Sequence, residues 1–200
     1  MLQAAPAVLA RQPKVIDVPD RPAFVKLPGK KETSARSGQN LVENTLLRTS
    51  KPGRMQIMLG TGRQFRMGGD ALLRLKGSTV QLQRGSLIGW IKPGLKNRQP
   101  FRIQTRLATA SIQGTTVFIE LTDEKLKIFS WEGEVNVSTT NGESYTLQGG
   151  EQLLVDLNPA HEAQGFRVQC VGVAHLALGL RHAQATHTSD MSATVGFTPP

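Results

Sequence analysis

The side chains best suited to chemistry are four histidines, one cysteine and a pair of neighbouring carboxylates. His161, His175, His182 and His187 raise the question of a metal site, and on a helix His175 and His182 would share a face. That spacing, without a nearby carboxylate, is poorer ligand geometry than an i, i+4 pair, so a solvated or partner-facing segment is expected and no metal. Cys170 and His175 could act as nucleophile and base, yet both lie in an apolar stretch without an orienting acid, the setting of a buried, inert thiol. Glu132 and Glu134 flank a tight turn, whereas a general acid and base need an enclosing cleft to shift their pKa values. Gly60-Thr61-Gly62 lacks the third glycine of a dinucleotide loop and the Lys-Ser/Thr of a phosphate loop, and reads as a turn. Asn136-Val137-Ser138 fits a glycosylation sequon by chance. The expectation is a non-enzymatic protein with no catalytic residue and no cofactor.

The basic residues carry more information. The net charge of +9 is unevenly spread: residues 1–106 hold 20 Lys/Arg against 5 Asp/Glu, a surplus of 15, and residues 107–200 hold 4 against 10, a deficit of 6. Such asymmetry speaks to association rather than fold. Arg63, Arg66, Arg74, Lys76, Arg84, Lys92, Lys96, Arg98, Arg102 and Arg106 fall largely at positions alternate to apolar ones, so stacked strands would project many of them from one face. The expected partners are a protein or membrane-associated complex, or an anionic wall or lipid surface. Nucleic acid is argued against by the scarcity of aromatic stacking residues.

The elements that would position these side chains are short strands. Residues 1–35 read as an extended arm, with Pro13, Pro19, Pro22 and Pro28 among charges and room for one edge strand at Ala23 to Leu27. Its start, Met1 to Ala10, resembles the end of an export signal but lacks a positive n-region. From Ser37 onward, Gly-punctuated segments at Arg54 to Leu59, Gln64 to Met67, Ala71 to Leu75, Thr79 to Gln83 and Gly85 to Ile91 read as strands. Leu73, Leu75, Val80 and Leu82 fall on one face, with Arg74, Gln81 and Gln83 on the other. Further strands are expected at Pro100 to Thr105, Thr116 to Leu121, Lys125 to Trp131, Glu134 to Ser138, Ser144 to Leu147 and Gln152 to Val155. Asn141-Gly142 is the strongest hairpin signal. The fold class is therefore all-β, many short antiparallel strands in a sandwich, roll or solenoid-like stack. Residues 158–200 form a C-terminal extension, in which apolar Val168 to Leu180 suits a short docked helix or an extra strand before a Thr/Ser-rich tail. No run approaches the ~18 apolar residues that a membrane-spanning helix needs.

The order of motifs over residues 37 to 157 resembles the FecR-like domain family. Ser37-Gly38-Gln39-Asn40-Leu41 with Asn44 to Thr49 resembles its opening "G-x-x-L-x-x-G-D-x-L-x-T", and Leu82 to Gly85 its "L-x-x-G" centre. Pro100 to Thr105 is similar to "P-F-x-V-x-T", Ala110 to Val117 to "A-x-V-R-G-T-x-F", Ser130 to Val135 to "V-L-E-G-x-V" and Leu147 to Glu151 to "L-x-A-G-E". Asn44, Gln113 and Trp131 depart from the pattern. Gly114, Thr115, Gly133 and Gly150 are the turn residues of these motifs, where a side chain would obstruct φ or backbone approach and where Thr115 can bond the turn backbone.

The resemblance implies a β domain over residues 36–157 of a bacterial envelope protein, periplasmic or otherwise exported, that acts by binding. An interaction or scaffold module for a protein assembly or anionic envelope component is the first expectation. A periplasmic sensor domain in signal transduction to a regulator or receptor is the alternative.

Overall fold

The computed structural model describes residues 12–60, 62–91 and 100–156 and the backbone of residues 168–172. These residues form β-strands and turns. In chain order the strands are β1 (Lys14–Asp20), β2 (Ala23–Lys26), β3 (Thr33–Ser34), β4 (Leu46–Thr49), β5 (Arg54–Leu59), β6 (Arg63–Met67), β7 (Leu72–Lys76) and β8 (Thr79–Ile91). They continue as β9 (Phe101–Gln104), β10 (Ala108–Ile112), β11 (Thr116–Leu121), β12 (Lys125–Glu132), β13 (Val135–Thr139), β14 (Ser144–Leu147), β15 (Glu151–Asp156) and β16 (Val168–Gly172). The fold is all-β.

One hydrogen-bonded system folds into two sheets through β8. Sheet A runs β1-β5-β6-β8-β11-β12-β15-β16 with every neighbour antiparallel. Sheet B runs β3-β2-β4-β7-β8-β9-β10-β13-β14 and is antiparallel except for the parallel pair β8–β9. The first half of β8 pairs with β7 and β9, and the second half with β6 and β11. The two strands expected at Thr79 to Gln83 and Gly85 to Ile91 are thus one, bent at Gly85. That residue has φ +84°, and a Cβ there would lie 2.4 Å from Ala71 Cα, so only glycine lets β8 cross the Asp70–Ala71 backbone and change sheets.

The alternation read from sequence generates the core. Leu73, Leu75, Val80, Leu82, Val117, Ile119, Leu126 and Ile128 are buried, each flanked by residues that point away from the core. The sheets meet face to face where the Phe65 and Phe101 rings stack at 6.5 Å between centroids. Gly89 makes room for this contact, since a Cβ there would come within 3.2 Å of the Phe101 ring and 3.3 Å of Ile103.

The proline-bearing stretch ahead of Ser37 supplies β1, β2 and β3, and its Val15, Ala23 and Val25 are buried in the core. Pro19 sits in β1, at the edge of sheet A, where a missing N–H costs no ladder bond. At the other end, Val168–Gly172 takes the strand alternative rather than the helix, pairing with β15. β-Branched valines and Gly172 disfavour a helix, and an unpaired strand edge is satisfied by adding a strand. Residues 173–180 lie outside the described residues.

Candidate functional site

The corner of the fold that gathers the motif glycines is built from turns. Gly114, Gly133 and Gly150 have φ of +65°, +67° and +87°. A Cβ on Gly133 would stand 3.1 Å from Thr115 Cβ, and one on Gly149 would stand 3.2 Å from Glu132 Cα. The three motifs holding these residues therefore converge where β11 starts, β12 ends and β14 turns into β15. Thr115 is buried, and its hydroxyl donates to the Thr116 carbonyl at 3.5 Å. Glu132 and Glu134 are engaged locally, Glu132 accepting from the Thr116 hydroxyl at 3.0 Å and Glu134 from the Asn136 amide at 2.9 Å. Asn44, where the family opening has a glycine-led turn, has φ +63°, a conformation that asparagine tolerates better than most residues.

Sequence reasoning passes over a set of buried hydroxyls. Thr49 donates to the Gly68 carbonyl at 2.5 Å and accepts from the Ala71 amide at 3.1 Å. Thr105 donates to the Ala108 carbonyl at 3.0 Å and accepts from the amides of Leu107 and Ala108. Both are strand-ending threonines of the quoted motifs, "x-L-x-T" and "x-V-x-T", which is the signal that points to them. They fasten turns and hold no reactive group.

The outward sides of the two sheets differ sharply. Strands of sheet B carry six cations, Lys26, Arg48, Arg74, Lys76, Arg84 and Arg102, and no carboxylate. Strands of sheet A carry Lys14, Arg54, Arg63, Arg66, Lys125 and Lys127 against Asp17, Asp20, Glu120, Glu132, Glu151 and Asp156. The charge dipole of the sequence thus becomes a difference between sheets, one balanced and one cationic.

Of the predicted basic set, Arg74, Lys76, Arg84 and Arg102 come together on sheet B. Register places Arg74 beside Leu46 and Gln81, and Lys76 beside Thr79, which neighbours Arg102. Among the described residues these four make no ion pair, unlike Arg48 with Glu32, Lys51 with Asp70 and Arg54 with Asp20. Arg106 lies in the β9–β10 turn and donates to the Thr122 carbonyl at 3.3 Å. Arg63 and Arg66 stand on sheet A instead, Arg66 donating to Gln56 at 2.8 Å. Lys92, Lys96 and Arg98 lie outside the described residues.

Beyond β9, the outward rows of sheet B turn neutral and polar: Gln104, Thr109 and Ser138 share one row, and Ser111, Asn136 and Thr146 the next. The outward side of sheet A carries Ile88 and Trp90 on β8, Phe118 on β11, and Phe129 and Trp131 on β12, with Ile88, Phe118 and Phe129 in one row. The Phe129 and Trp131 rings meet edge to face at 5.8 Å.

The histidines fall outside the described residues, and the Cys170 backbone lies in β16 opposite Leu153. Among the described residues no group of three or more His, Cys, Asp or Glu could hold a metal ion, and no helix is long and apolar enough to cross a membrane.

An all-β domain with two outward faces of different chemistry is what these residues define. A family model, FecR protein, matches residues 45–136, from the turn before β4 to β13. Two crystal structures of a candidate anti-sigma factor from Parabacteroides distasonis ATCC 8503, at 1.65 and 2.50 Å resolution, are similar in fold, each with a TM-score of 0.54 at 16% identity. The similarity covers 64% of this chain and 59% of that one, so it spans about three-fifths of the crystallised protein. No curated protein matches the sequence.

Proposed function

We propose that this chain is a sensor domain in bacterial signal transduction that works by binding a protein partner at the cell envelope, without catalysis. The match of residues 45–136 to the FecR protein model carries this reading. It favours the sensor alternative over the scaffold, because the solved structures of similar fold belong to a candidate anti-sigma factor. The partner's contact surface is acidic and meets the outward side of sheet B, where Arg74, Lys76, Arg84 and Arg102, without an ion pair among the described residues, stand on three adjacent strands that carry no carboxylate. Complementary charge of this kind raises the encounter rate and sets orientation more than it adds affinity. The neutral Gln, Thr, Ser and Asn rows beside the cations supply hydrogen-bonding groups at the rim. An exported, periplasmic location follows from the same reading.

The test is genetic. Deleting the gene should shift transcription of one promoter class dependent on an alternative sigma factor. Wild-type protein should restore it, while a stably folded R74E/R84E/R102E chain should not. Unchanged transcription on deletion would overturn the sensor reading, and full complementation by the charge-reversed chain would remove sheet B as the contact.

A further inference from the structure

The aromatic side of sheet A has no counterpart in the proposed contact. Where β8, β11 and β12 run side by side at one end of the sheet they are apolar on both faces: Leu87 is buried while Ile88 and Trp90 point outward, Val117 and Ile119 are buried while Phe118 points outward, and Ile128 is buried while Phe129 and Trp131 point outward. Near-continuous apolar runs of this kind belong to strands covered on both faces. Sheet B covers only one. Trp131 remains 64% exposed, and large aromatic side chains clustered on a solvent-facing sheet mark a docking surface.

We propose that residues 173–180 of this same chain, Val173-Ala174-His175-Leu176-Ala177-Leu178-Gly179-Leu180, cover that surface. Three observations select this occupant. β16 ends at Gly172, opposite Glu151, one residue beyond the row that carries Gln152, Phe129, Phe118 and Ile88. The chain therefore leaves the sheet at the aromatic end. From β16 to β8 is four strand spacings, about 19 Å, and eight residues span up to about 26 Å. Of the other segments outside the described residues, one carries Lys92, Lys96 and Arg98, another carries Asn158, His161, Glu162 and Arg167, and apolar Met1 to Ala10 adjoins β1, five strand spacings from the β12 that holds Phe129 and Trp131 against two for β16, whereas residues 173–180 carry no carboxylate, lysine or arginine. Cover from this segment leaves the sheet B side free, so the two faces serve different ligands.

The chain's only tryptophans, Trp90 and Trp131, both stand on this face, so intrinsic fluorescence reports on its cover alone. In the full chain, L176D/L178D/L180D should shift the emission to the red and raise its quenching by acrylamide, at unchanged far-UV dichroism. As a second measurement, a benzophenone amino acid at position 131 of the otherwise native chain should crosslink within the monomer to the peptide holding residues 173–180. Unchanged emission together with crosslinks elsewhere overturns the proposal. Crosslinks to a second copy, with emission that depends on protein concentration, also overturn it and assign the face to self-association.

Discussion

Sheets A and B grow from the same β8 and enclose the same core, yet they turn opposite chemistries outward. Sheet A offers aromatic rings among balanced charges, and sheet B offers cations and hydroxyls without a strand carboxylate. The inner faces are alike in kind, mostly Leu, Ile, Val, Ala, Phe and Met. Fold is thus set by one side of each strand, and the capacity to discriminate partners resides on the other. A change to an outer position leaves stability within about 0.5 kcal/mol and, on the proposed reading, alters binding instead, whereas a change at the shared core is felt on both faces together.

The largest effect expected is therefore from Phe101→Ala. The ring stacks on Phe65 across the sheets and fills the space left by Gly89. Its loss should cost about 3–5 kcal/mol, read as a lower denaturant midpoint in a single transition. Two separate transitions would break the comparison at its root, because the sheets would then be independent units.

A smaller loss should follow Thr49→Val, about 1–3 kcal/mol for an isosteric change that strands buried backbone partners. Thr49 holds Gly68 and Ala71, the turn in which the chain passes from β6 in sheet A to β7 in sheet B. Amide hydrogen exchange should accelerate first around that turn. Uniform acceleration would mean that the hydroxyl supports the core as a whole instead of the crossover.

Much of this arrangement is legible in the sequence, for definite reasons. Alternation at Leu73 to Leu82 predicts both burial and the outward basic residues, because a period of two allows little else. Asn141-Gly142 predicts the β13–β14 hairpin, and the motifs that resemble the FecR-like family mark the order of turns. The sharing of β8 is not legible, since Gly85 looks like a turn between two strands until the approach of Ala71 shows a bend within one. Nor is β1, whose irregular pairing with β5 and whose Pro19 hide a strand anchored chiefly by buried Val15. The aromatic face leaves a trace that alternation discards. Leu87 to Ile91 and Val117 to Ile119 are apolar at successive positions, which a one-sided strand does not require. For the basic set, outward projection is predictable, but membership of one sheet or the other is not, because it depends on which strands pair across long sequence separations. Arg66 and Arg74, close in sequence, end on different sheets.

The smallest effect tests the charge of sheet B at Arg48, the strand cation that is neutralised among the described residues. Arg48 lies 4.1 Å over the Phe24 ring and grips Glu32 with two contacts, at 2.5 and 3.2 Å. The Arg48 hydrogen bond holds the Glu32 carboxyl below its ordinary value of 4.5, against a smaller opposing effect of burial. A depressed carboxyl stabilises the fold in full above that ordinary value and loses its contribution as pH falls through the lower folded value. Glu32→Gln should therefore cost under about 1 kcal/mol at pH 7, as expected of a part-exposed pair. The difference from wild type should vanish in acid, as measured by urea unfolding across the two conditions. A difference that persists undiminished in acid would show that Glu32 acts by packing and not by charge. The same substitution leaves Arg48 unpaired and raises the positive charge of sheet B, so association with an acidic partner should quicken at low salt and converge on wild type as salt rises.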